Sequence, residues 1–111
     1  MARSSRRFKP YLLISTVSSK NEAERIAKAL VYQKLVACVN VIGNVKSIFR
    51  WHGKIDQVRE LLLIVKTDSN HLKRVQQTIR KYHTYEIPEM IGWPISWGYK
   101  PYLRWLRDSI G

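Results

Sequence analysis

The 111-residue sequence holds a single cysteine, Cys38, so no internal disulfide can form. No segment reads as a signal peptide, and together these features predict a reducing, cytoplasmic setting. No apolar run approaches the roughly 20 residues that cross a bilayer, which argues against a membrane partner. Signatures of catalysis are missing too: there is no phosphate-cradling glycine loop, no cysteine pair at zinc spacing, no His-Glu-x-x-His and no Gly-x-Ser-x-Gly elbow. Enzyme is therefore the least favoured class.

Acidic residues are also scarce, eight against 20 lysines and arginines, for a net charge of +12. Such a charge suits nucleic acid, an anionic surface or solubility alone, and its placement decides between them. Arg3, Arg6, Arg7 and Lys9 fall within residues 1–9, MARSSRRFK, which offer little to bury and read as a basic disordered tail ahead of a domain over 10–111. Lys20, Arg25, Lys28, Lys34, Lys73, Arg74, Arg80 and Lys81 fall on expected helices. There a solvated face is the commoner explanation, so nucleic acid is the less favoured partner.

The apolar residues that are present sit in two long runs. Val36 to Lys54 reads as one strand, and at about 3.3 Å per residue it would reach about 60 Å unless a bulge bends it, most naturally at Gly43-Asn44. Leu61 to Thr67 reads as another, and its LLLIV is apolar at every position, the pattern of a strand covered on both faces. A turn is expected from His52 to Glu60. Tyr11 to Val17 gives a strand ahead of these. Ser19 and Glu22 form a Ser-x-x-Glu helix start, followed by Ala23, Ile26, Ala27, Leu30 and Val31 at helical spacing. Asp68 or Ser69 caps a second helix with a stripe of Leu72, Val75, Ile79 and Tyr82. A last strand from Glu89 to Trp97 contains Pro94, which argues for an edge or a break there, and a short helix spans Tyr102 to Asp108.

This order, β-α-β-β-α-β plus a short C-terminal helix, predicts an α+β, ferredoxin-like antiparallel sheet. Right-handed crossovers put both main helices on one face and leave the other bare. A bare face backed by Leu61 to Val65, beside an overlong edge strand, predicts self-association through the sheet.

ACVN at Ala37 to Asn40, FRWHGKI at Phe49 to Ile55, LLIVKT at Leu62 to Thr67, HTYEIPE at His83 to Glu89 and PYLRW at Pro101 to Trp105 occur in this order. Together they resemble the CutA divalent-cation tolerance family, over nearly everything from Tyr11 to Asp108. The resemblance implies a ferredoxin-like homotrimer with a role in tolerance of copper and other divalent metals. Where many members read His-Pro-Tyr-Glu, Thr84 replaces the proline, which implies a looser loop. The usual acidic pair after Gly-Lys-Ile is here Asp56-Gln57.

For chemistry, His83, Glu86 and Glu89 share seven residues, so an imidazole and two carboxylates become candidate ligands of a divalent metal such as copper, one not required for folding. Cys38 is a further candidate ligand, although a lone cysteine in an apolar strand is more often a small hydrophobe. His52 and His71 read as exposed. Trp51, Lys66, Tyr85, Tyr102 and Trp105 are assigned to a ligand cleft between subunits, where Lys66 meets a small anionic ligand or pairs with Glu86 or Glu89. The expected function is that of a non-enzymatic trimer that binds a metal ion or small ligand.

Overall fold

The computed structural model describes residues 7–111. Most of the expected tail lies outside the described residues. Its last part, Arg7 to Lys9, runs beside residues 69–70: the Ser69 N–H donates to the Lys9 carbonyl at 2.9 Å, and Asn70 Nδ2 donates to the Arg7 carbonyl at 3.4 Å.

The elements are β1 (Pro10–Val17), α1 (Lys20–Tyr32), β2 (Cys38–Trp51), β3 (Lys54–Asp68), a 3-10 turn at Ser69–His71, α2 (Leu72–Tyr82), β4 (Ile91–Pro94) and α3 (Lys100–Ser109). The strands form one sheet in the order β2-β3-β1-β4, with every neighbouring pair antiparallel. This is the expected ferredoxin-like arrangement. The Ser19 hydroxyl accepts from the Glu22 N–H at 3.1 Å and starts α1, while Asp68 accepts from the His71 N–H at 3.1 Å and starts the turn that leads into α2.

Alternation along the central strands sorts the two sheet faces. Leu13 and Val17 of β1 and Leu63 and Val65 of β3 are buried with Ala23, Ile26 and Leu30 of α1 and Val75 and Ile79 of α2, so both main helices cover one face. Each fully buried Leu or Ile there contributes roughly 1.5–3 kcal/mol by leaving water. On the opposite parity Ile14 pairs with Ile64, and Thr16 with Leu62. This second face is not wholly bare. α3 occupies its Lys66 end, with the Lys66 ammonium 5.8 Å from the Tyr102 ring centroid and Leu106 and Ile110 buried.

β2 and β3 continue past the sheet as an arm. The register shifts between Ile42 and Val45, and Asn44 has φ 61, so the bulge falls where the length of the strand required it. The radius of gyration is 15.0 Å, against about 13 Å for a compact domain of this length, which reflects the projecting arm. The turn is shorter than expected. Only His52 (φ 50) and Gly53 (φ 77) lie between the strands, as a two-residue hairpin with both central residues left-handed demands. Lys54 to Glu60 is therefore strand, paired from Trp51↔Lys54 to Val45↔Glu60. β4 is also shorter than expected, four residues ending at Pro94, which pairs with Tyr11 on the sheet edge, where a proline is tolerated; one more bond to β1 follows, from the Ile95 N–H to the Pro10 carbonyl at 3.0 Å. Gly92 is required there: a Cβ on it would come within 2.6 Å of the Leu12 carbonyl oxygen.

Candidate functional site

An open cleft of about 840 Å³ lies between the arm and the loop that joins α2 to β4. Phe49, Trp51, Asp56, Val58 and Glu60 line it from the arm, Tyr85, Glu86, Ile87 and Glu89 from the loop, with Thr16 at the end of β1.

The loop's position is set by the His83 ring, whose side chain is 0 % exposed. Its Nε2 lies 2.7 Å from the Thr16 carbonyl oxygen. A carbonyl only accepts, so Nε2 carries the proton, and Nδ1 is left to accept the Tyr85 N–H at 3.1 Å. Both nitrogens are thereby used in holding the α2 end and the loop against β1. His83 is not a free nitrogen ligand, and it does not line the cleft.

Glu22, on α1, makes the second tie. Its carboxylate accepts from the Ser18 N–H at 3.1 Å, the Ser18 hydroxyl at 2.8 Å and the Thr84 N–H at 2.8 Å. Burial is the largest single influence and opposes ionisation, but the hydrogen bonds from Thr84 and Ser18 together hold the Glu22 carboxyl below its ordinary value. Thr84 therefore fastens the loop where a looser one was expected, through an N–H that a proline would lack. The helix start also differs in detail: the Glu22 side chain reaches back to Ser18 rather than to Ser19.

Inside the cleft the Tyr85 hydroxyl donates to Glu60 Oε2 at 2.6 Å. Burial, followed by the Glu60 carboxylate, raises the phenol well above its usual range, so Tyr85 stays a neutral donor. Four of the chain's eight acidic residues, Asp56, Glu60, Glu86 and Glu89, line this one cleft, together with one cation, Lys46.

The expected site residues thus divide. Trp51, Tyr85, Glu86 and Glu89 come together. Cys38 instead stands opposite Lys66 in the β2–β3 ladder, and Lys66 meets Tyr102, whose ring lies 5.4 Å from that of Trp105. From Glu60 to Lys66 is six residues along β3, about 20 Å, so within one chain this second group does not share the cleft. Among the described residues, no three His, Cys, Asp or Glu side chains converge to hold a metal ion. The expected His83, Glu86, Glu89 and Cys38 set is not assembled, and one chain alone does not fit a resident ion. Asp56 and Glu60 went unrecognised because their segment read as a turn. Their spacing of four puts them on one face of a strand, the signal that a strand reading would have revealed.

A model of the CutA1 divalent ion tolerance protein family matches residues 11–109, which include the whole cleft. The chain belongs to the CutA1 family. The divalent-cation tolerance protein CutA of Thermus thermophilus is 40% identical over 100 residues, covering 90% of this chain and 97% of that protein. The chloroplastic Protein CutA of Arabidopsis thaliana is 34% identical over 109 residues, which is 98% of this chain and 60% of that protein. Protein CutA of Homo sapiens is 39% identical over 93 residues, or 84% and 52% respectively. The chain therefore spans little more than half the length of these two eukaryotic relatives. Among solved CutA1 structures, that from Thermus thermophilus superposes with a TM-score of 0.89 at 39% identity, covering 92% of this chain and 99% of that one. That from Oryza sativa gives 0.90 at 34% identity, covering 93% and 94%. Among the described residues no helix is long and apolar enough to cross a membrane.

Proposed function

We propose that this CutA1 protein works as a cytoplasmic, non-enzymatic homotrimer in divalent-cation tolerance, binding an exchangeable divalent cation such as copper at the cleft between the arm and the 83–89 loop. The observation that carries this reading is the concentration of Asp56, Glu60, Glu86 and Glu89 in one cleft of a chain that is otherwise basic. Carboxylates gathered beside apolar walls focus a negative field that attracts cations against the chain's net charge. The ion is cargo rather than a structural cofactor, since the fold's core is complete without it. A neighbouring subunit supplies the remaining ligands, because the apolar arm and the Leu62 and Ile64 face call for a partner of the same shape. The unpaired Cys38 favours a reducing compartment.

Calorimetry with copper, nickel and cobalt tests this. Copper should bind tightest by the general order of divalent affinities. Glu86→Gln with Glu89→Gln should weaken it at least tenfold. His83→Gln, in which the amide can take up both loop hydrogen bonds, should leave affinity unchanged. Equal affinity in the unmutated protein and the double variant would place cation binding elsewhere.

A further inference from the structure

The distribution of charge leaves one surface with six exposed cations against one exposed carboxylate, Glu24. Beyond the four carboxylates of the cleft, Glu22 and Asp68 are buried in helix starts, so the remaining exposed acids are Asp108 on α3 and Glu24, a single carboxylate on α1 four residues before Lys28. On the outer face of α1 and α2, Arg25, Lys28, Lys73, Arg74, Arg80 and Lys81 are all exposed, and none of them lies in an ion pair with a carboxylate among the described residues. We propose that this two-helix face is a sequence-independent docking surface for the phosphate backbone of double-stranded nucleic acid.

Three features favour this partner. The two helices pack side by side, about 8–10 Å between axes, so the cations of both belong to one face of the kind that neutralises backbone phosphates. The exposed side chains between the charges on α2 are Gln76 and Gln77, amide donors suited to phosphate oxygens. The exposed apolar residues of the two helices are confined to Val31 and Tyr32 at the end of α1. A membrane-surface helix inserts an apolar face, and a single strand needs several aromatic platforms. Neither is present here. The surface lies on the opposite side of the sheet from Leu62 and Ile64, so assembly through that face leaves it open.

The test is fluorescence anisotropy of a labelled 20-base-pair DNA duplex with the full chain. With about four phosphates engaged, affinity should fall about 10²-fold between 50 and 200 mM salt. A variant carrying Arg25→Gln, Lys28→Gln, Lys73→Gln and Arg74→Gln should bind at least tenfold more weakly. A control carrying Lys9→Gln, Lys100→Gln, Arg104→Gln and Arg107→Gln loses the same charge elsewhere and should stay within threefold of the unmutated protein. Both variants keep Arg3, Arg6 and Arg7, so any contribution of that segment cancels. Circular dichroism confirms that each variant is folded, and the paired variant Arg80→Gln with Lys81→Gln replaces the first should it not fold. No duplex binding at 50 mM salt, equal loss in helix variant and control, or tighter binding to phosphatidylglycerol vesicles than to duplex would each overturn the proposal.

Discussion

β2 and β3 run through two environments, and the contrast between them organises the molecule. In the body of the sheet Leu63 and Val65 are fully buried beneath α1 and α2. Past the bulge at Gly43-Asn44 the same two strands, paired again in a shifted register, leave Ile48 63 % and Ile55 64 % exposed. The backbone pairing is continuous, but the apolar cover is not. The body is therefore stabilised by its own helices, whereas the arm is built to be covered by something else, since exposed apolar strand invites association.

The largest effects should separate those two environments. Leu63→Ala leaves a cavity in the core and should cost about 2–5 kcal/mol, seen as a lower denaturation midpoint. Ile55→Asp should leave the isolated fold nearly as stable but dissociate the proposed homotrimer, in which that position would be covered by a neighbour's apolar surface. Equal stability loss in the two variants would erase the distinction between body and arm.

Next in size is the tie between α1 and the cleft loop. Glu22→Gln removes an ionised acceptor from the Ser18 and Thr84 donors and should cost about 1.5–3 kcal/mol in denaturant titrations. Because the folded carboxyl sits below its ordinary value of 4.5, its contribution is complete above that value and disappears as pH falls through the lower folded value. The unmutated protein should therefore lose stability on acidification more steeply than Glu22→Gln. Parallel pH profiles would show that the tie carries no net energy.

Smaller still is Tyr85→Phe, expected to cost about 1 kcal/mol for the lost hydrogen bond to Glu60. The folded phenol is raised above the unfolded value of about 10. Its contribution is therefore present at neutral pH and disappears as pH rises above that value. A stability difference between Tyr85→Phe and the unmutated chain that persisted undiminished well above pH 10 would remove the hydroxyl from this account.

The same contrast explains what the sequence disclosed. The body was legible because its signals are local: LLLIV, the Ser19 and Asp68 caps, and a strand too long to stay straight without a bulge. The Lys54 to Glu60 half of the arm was not. Its Asp56, Gln57, Arg59 and Glu60 lie on a hairpin with little of the chain's own core behind it, so no burial pattern marked it as strand, and half of the cleft went with it. His83 looked like a ligand because its sequence neighbours are carboxylates. What occupies its Nε2 is the carbonyl of Thr16, 67 residues away, a partner that no spacing rule reveals. Thr84 was misjudged for the same reason, its acceptor being Glu22 on α1.

The measurement that bears most directly on the arm is the mass of the unmutated chain by light scattering at micromolar concentration. The proposed homotrimer predicts three protomers of 13.1 kDa each, reduced to one by Ile55→Asp. A single 13.1 kDa species from the unmutated chain would contradict the account.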